Sequence, residues 1–199
     1  MMGKKFLQEI DDFLANNCRT LKCSDIHNIY SQFCLALKDF KGNAHGFTGL
    51  SEYLIFRFFY HLLGGSFKPV QITKERREFK SDKGFRIGQN ALVKAGGKRQ
   101  YPDIVVYQNS ELKAIVQVKI YITGGLKEIQ REIATLKNLK CNHAALRALM
   151  IIFNELPKKG KCITKLTEER NQNSKWLNFL VLEKNNDVLS NELEGFLGI

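Results

Sequence analysis

The chain has 199 residues, 44% of them hydrophobic and 26% charged, the proportions of a folded globular protein and not of a disordered segment. That length suits one well-buried domain with room for a small appendage, and no run of about 18 apolar residues is available to span a membrane. With 31 Lys and Arg against 20 Asp and Glu the formal charge is +11, which favours polyanionic partners and disfavours basic ones.

Met1-Met2-Gly3-Lys4-Lys5 is followed by Glu9, Asp11 and Asp12. Acids stand where a secretory leader would be apolar, so no leader is expected and the setting is read as intracellular and cytoplasmic. Phe6, Leu7, Ile10 and Phe13-Leu14 recur at helical spacing. A second helix is expected from Ser24 to Asp39, with Ser24 as its N-cap and Gly42 as its stop. Residues 1–45 are read as an N-terminal helical segment ahead of an α/β core over 46–199. A third helix, Thr48 to Leu63, is nearly all apolar and therefore buried. Glu52 is its one acid. His61, on the same helix, is read as a packed, hydrogen-bonded side chain.

Short strands follow at Pro69–Thr73, Phe85–Ile87 and Ala91–Val93, separated by charged and Gly-containing turns. This stretch carries much of the basic charge: ten Lys and Arg lie between Lys68 and Arg99, against Glu75, Glu78 and Asp82. Lys74, Arg76, Arg77, Lys80, Lys83, Arg86, Lys98 and Arg99 are read from it as phosphate-backbone contacts. A second basic cluster comprises Lys158, Lys159, Lys161 and Lys165. After Pro102-Asp103 two β-branched strands, Ile104–Tyr107 and Ala114–Lys119, form an expected hairpin. A helix at Leu126–Leu139, strands at Ala145–Phe153 and Trp176–Leu182, and a helix at Val188–Leu197 complete the order. That order fits an α/β fold with a mixed central sheet flanked by helices.

The hairpin holds the candidate site. A three-residue turn at Asn109–Glu111 would set Gln108 against Leu112 and Asp103 against Gln117. Strand alternation would place Lys119 on the same face. Charges inside apolar strands are costly unless paired or bound to metal. A carboxylate, an amide oxygen and an ammonium converging on one point suit a hard divalent cation and an activated water. Asp103 is the expected principal ligand of such a cation, because hard cations prefer carboxylate oxygen.

Pro102-Asp103 followed by Gln117-Val118-Lys119 resembles the motif of the PD-(D/E)XK nuclease superfamily, with glutamine in place of the second acid. The resemblance extends to the element order from about Thr48 onward, and implies a restriction-endonuclease-like fold with extra N-terminal helices. It also implies a Mg²⁺-dependent endodeoxyribonuclease, with Mn²⁺ as a substitute, acting on duplex DNA as a type II restriction-like homodimer in a prokaryotic or viral setting. In that reading Gln117 and the Val118 carbonyl join Asp103 at the metal, and Lys119 orients the attacking water. Glu52 holds a further water or second ion, and Gln130 or Arg131 touches the scissile phosphate. The alternatives are a junction- or repair-directed nuclease and an inactive nuclease fold that only binds nucleic acid.

Other chemistries lack their marks: no GxSxG, GxxxxGK[ST], HExxH or GxGxxG occurs. The five cysteines form no CxxC pair, so reduced thiols are expected and a structural zinc site is not.

Overall fold

The computed structural model describes residues 2–41, 48–72, 77–122, 125–154 and 160–199. Three helices come first: α1 (Met2–Asn17), α2 (Cys23–Lys41) and α3 (Thr48–Leu63). Then come β1 (Phe67–Ile72), β2 (Arg77–Ser81), β3 (Phe85–Gln89), β4 (Val93–Ala95), β5 (Lys98–Gln100), β6 (Ile104–Gln108) and β7 (Glu111–Lys119). The chain ends with α4 (Gly125–Asn142), β8 (Arg147–Ile152), α5 (Lys161–Asn173), β9 (Leu177–Val181) and α6 (Leu189–Leu197). The fold is α/β with a mixed sheet flanked by helices. Seven strands pair in the order β1-β2-β3-β6-β7-β8-β9, and β4 and β5 form a ribbon of their own.

β1 to β7 pair antiparallel, whereas β7, β8 and β9 run parallel. Parallel neighbours need long crossovers, and α4 and α5 supply them. Alternation sends Ile104, Val106, Val116, Val118, Leu149 and Ile151 into one buried layer with α1, α2, α3 and α6. Val105, Ile115, Ala148, Met150 and Ile152 face the other way, onto α4 and α5. Ile10, Leu14, Ile26 and Tyr30 of the two N-terminal helices belong to the first layer. Among the described residues no helix is long and apolar enough to cross a membrane.

α3 sits between the N-terminal helices and the sheet, and Leu54, Ile55, Phe58 and Phe59 are fully buried. α1 is held to it by Asp11, which accepts from Arg57 and lies 2.9 Å from Nε2 of His61. Burial alone would raise the Asp11 pKa, but Arg57 and His61 hold it below the usual carboxylate value. The packed role expected of His61 is therefore what the structure gives.

Several expectations change. α2 begins one residue earlier than Ser24, and the Lys22 N–H is taken by the Asp25 carboxylate at 2.9 Å, a reversed cap from inside the first turn. Ser24 Oγ turns instead to Asn186 Oδ1 at 3.4 Å. The Gly42 stop lies outside the described residues. The strand expected at Ala91–Val93 is displaced to Val93–Ala95 in the ribbon. β2 and β5 were not anticipated, because Arg77-Glu78-Phe79-Lys80 and Lys98-Arg99 read as charged turns. In an antiparallel strand one buried face is enough, and Phe79 provides it against Phe56 and Tyr60. α5 was missed for a related reason. It buries only Leu166 and Glu169, and Glu169 is held between Lys137 at 2.7 Å and Lys165 at 2.9 Å. Lys161 and Lys165 thus belong to a helix, while Lys158 and Lys159 lie outside the described residues.

The hairpin turn is also tighter than expected. Gln108 pairs with Glu111 across Asn109-Ser110, whose φ angles of 50° and 70° make a type I′ turn. Tyr107 then pairs with Leu112 and Val106 with Ala114, so Lys113 is an extra residue on β7. This bulge shifts the register by one and restores the pairing Ile104 with Val116. Continued by one residue, Asp103 faces Gln117, as the longer turn would also have had it.

Ser110 holds a positive φ without a glycine's freedom. Ser110→Gly is expected to raise stability by about 1 kcal/mol, read as a higher thermal midpoint; a fall would show that the serine side chain is needed in the turn.

Candidate active site

Asp103 enters the sheet between Pro102 and β6, and its backbone carbonyl accepts the Asn90 N–H at 3.0 Å. Its carboxylate crosses to the neighbouring strand, where Oδ2 accepts the Val118 N–H at 2.7 Å. β7 outruns β6 at this end, and Phe153 N–H bonds the Lys119 carbonyl on the β8 side. Alternation therefore turns the Val118 carbonyl towards the side that β6 has left open. Gln117 is 8% exposed. Asp103, Gln117 and Lys119 line one cavity of about 370 Å³, closed on the far side by Arg131, Glu132, Thr135 and Leu139 of α4 and rimmed by Gln100 and Tyr101. The three groups named from the sequence do share one face.

The electrostatics are unbalanced around Asp103. Burial raises its carboxyl to about 7, the Val118 N–H and Lys119 act against this, and Glu52 and Glu132 add to it. Lys119 is not idle: its Nζ donates to Glu132 Oε1 at 3.0 Å and lies 3.9 Å from Glu128 Oε1. These two acids escaped the sequence reading. Their signal was present, since Glu128, Glu132, Thr135 and Leu139 follow one stripe of α4 beside the apolar Ile129-Ile133-Leu136 stripe. What the spacing could not give was the strand that this stripe would meet.

Glu52 approaches from the α3 side. It lies just beyond the first helical turn and not within it. Burial raises its pKa, while a hydrogen bond from the Gln89 side chain and the charge of Lys119 counter this. It acts on Asp103 and Lys119 through space but is not among the cavity walls.

The basic residues divide. Arg77 pairs with Gln89, in the row that continues to Ile104 beside the site. Lys80 and Arg86 sit three residues further along their strands, about 10 Å away at 3.3 Å per residue. Arg86 is engaged by Glu78 at 3.6 Å and by the Tyr107 ring at 3.9 Å. Lys83 lies beyond them in the β2–β3 turn. Lys98 and Arg99 are exposed on the ribbon strand that ends at cavity-lining Gln100. Arg131 reaches the cavity and is 75% exposed. Gln130 instead lines a separate groove with Lys137, Lys165 and Glu169 between α4 and α5. Lys74 and Arg76 fall outside the described residues.

The donors at the site are oxygen only: the Asp103 carboxylate, the Gln117 amide and the Val118 carbonyl, with Glu132 committed to Lys119. That set fits a hard cation. Among the described residues no three His, Cys, Asp or Glu side chains gather as ligands. Asp103 is the group that such a charge would relieve.

No protein-family model matches the chain, and no curated protein matches it. The chain is similar to the solved structure of protein VC1899 from Vibrio cholerae, at 12% identity and a TM-score of 0.40. The match covers 96% of this chain and 56% of that one, so the chain spans about half the length of that protein. At that score the likeness carries no conclusion about activity.

A carboxyl raised to about 7 binds its proton more tightly folded than unfolded. Its contribution to stability is greatest below the unfolded pKa and is lost as pH rises towards 7, each tenfold difference in proton affinity being worth about 1.4 kcal/mol. Asp103→Asn is therefore expected to stabilise the metal-free protein at pH 8 and to do much less at pH 4.5, read from denaturant midpoints. Equal effects at both pH values would show that the carboxyl is well solvated.

Proposed function

We propose that the chain is a metal-dependent endodeoxyribonuclease that hydrolyses phosphodiester bonds of duplex DNA in the manner of a type II restriction enzyme. The observation that carries this reading is a half-buried, under-compensated Asp103 beside Lys119 in one cavity, at the end of paired strands. The PD-(D/E)XK resemblance of Pro102-Asp103 and Gln117-Val118-Lys119 supports it, as does the mixed sheet carrying both. The net charge of +11 supports a polyanionic substrate, held in a salt-sensitive way. A homodimer matches two cuts in two strands. Five cysteines without a disulfide among the described residues suit a reducing cytoplasm.

Asp103, Gln117 and the Val118 carbonyl would hold Mg²⁺. When bound, that ion would neutralise charge on the phosphate oxygens and make water more acidic. The side chains do the rest. Lys119 donates hydrogen bonds towards the attacking water and the charge developing on phosphorus-bound oxygen. Glu132, with Glu128 close by, fixes the ammonium in place beside the phosphate. Glu132 also restores the negative charge that glutamine at 117 removes. Arg131, exposed at the rim, steadies a neighbouring phosphate. Hydrolysis forms a bond from water oxygen to phosphorus and breaks the bond to the leaving oxygen, which takes up a proton.

One feature favours a second reading: Gln117 is neutral, as in a nuclease fold that has lost its metal and only binds nucleic acid.

Plasmid nicking in Mg²⁺ or Mn²⁺ decides between them. Asp103→Ala and Lys119→Ala are each expected to lower the rate on the order of 10²–10³-fold. Glu132→Ala, which releases Lys119 without removing it, should cost about 10- to 100-fold. Salt-sensitive DNA binding with no cutting in either metal would overturn the hydrolytic reading and leave the binding one.

A further inference from the structure

The cavity is larger than hydrolysis alone requires. A phosphodiester group beside Asp103 and Lys119 fills only a small part of about 370 Å³. The remainder runs along α4 from Glu132 past Thr135 to Leu139, seven residues or about 10 Å of helix. Its volume is at the lower end for small-ligand sites, and it is polar and open to solvent on one side.

The walls have the chemistry of a base-holding site. Tyr101 is 44% exposed at the mouth, and Arg131 lies on the α4 side. A phenol ring stacks on the face of a nucleobase. Gln100 offers an amide to a base edge. Thr135 donates its hydroxyl proton to the Arg131 carbonyl at 3.1 Å, which leaves its oxygen lone pairs to accept. Leu139, fully buried in the core, lies behind this wall. Gln100 and Tyr101 are also set firmly, because the ribbon that leads into them is anchored to the C-terminal end of α4. The Gly96 N–H donates to Asn142 Oδ1 at 3.0 Å, and His143 Nε2 lies 3.0 Å from the Lys94 carbonyl.

We propose that this cavity receives one unpaired nucleobase of the strand being cut, stacked on Tyr101 with its edge towards Gln100 and Thr135. The inference rests on the nuclease reading for the scissile phosphate, and turns it from a restriction enzyme on paired duplex towards the repair-directed form. Base faces inside a duplex are covered by their neighbours, so a base must leave the stack to enter. That step costs a few kcal/mol, and least where the base is already unpaired. Cleavage is thus favoured beside a bulged, mismatched or flapped nucleotide.

The test uses the full chain and one hairpin oligonucleotide in three forms: fully paired, with a single bulged nucleotide, and with an abasic residue at the bulge. In Mg²⁺ or Mn²⁺ the bulged form is expected to be cut about 10-fold faster or more than the paired form, with the abasic form falling back towards the paired rate. Tyr101→Ala should bring the bulged-to-paired ratio close to one, and Tyr101→Phe should preserve it. Equal rates on all three forms overturn the inference while leaving the nuclease reading intact. If no form is cut in either metal the nuclease reading fails, and metal-free binding of a hairpin with 2-aminopurine at the bulge decides the inference. A fluorescence change on binding that is lost in Tyr101→Ala supports it; no change, or the same change in both proteins, overturns it.

Discussion

The hydrogen bond from the Val118 N–H to Asp103 Oδ2, 2.7 Å long, is the contact on which the site depends. It ties a half-buried carboxylate to the neighbouring strand at the point where β6 ends and β7 continues. One oxygen is thereby fixed, and the cavity side of the group is left to other partners. The bond exists only because the register of the hairpin is right. A slip of one residue would turn every β7 side chain to the opposite face and carry Gln117 and Lys119 away from Asp103. Two local devices hold that register, the type I′ turn at Asn109-Ser110 and the bulge at Lys113.

The change from antiparallel to parallel pairing at β7 has a direct chemical consequence. A parallel neighbour obliges the chain to cross the sheet, and α4, from Gly125 onward, makes that crossing after Lys119. The first two turns of the helix therefore pass the ammonium. Glu128 and Glu132 arrive one turn apart within 3.9 Å and 3.0 Å of Nζ. The same helix forms the far wall of the cavity down to Leu139. Topology, charge and cavity shape are here one fact seen three ways.

On the opposite face α3 brings Glu52 towards Asp103, and the position of α3 is secured by α1 through Asp11, Arg57 and His61. The N-terminal helices thus pack into the layer that supports the site. Asp103, Glu52 and Glu132 place several negative groups around one lysine. Burial is the main cause of the raised Asp103 pKa, and Glu52 and Glu132 add to it.

The sequence by itself determined the class of fold, the buried third helix and the shared face of Asp103, Gln117 and Lys119. Each of these follows from local rules: apolar periodicity, strand alternation and turn chemistry act over a few residues. Phe79 in β2 and Glu169 in α5 escaped because their elements bury too little apolar surface to show a period. The pairing of Glu132 with Lys119, the position of Glu52 off the cavity wall, the separation of Arg86 from the site and the parting of Gln130 from Arg131 were decided only by tertiary structure. A spacing says which residues lie together on one element, whereas the partner that an element meets depends on crossovers and on packing across tens of residues. Charges are therefore the last feature to be legible, because their effect is set by neighbours the chain brings in from elsewhere.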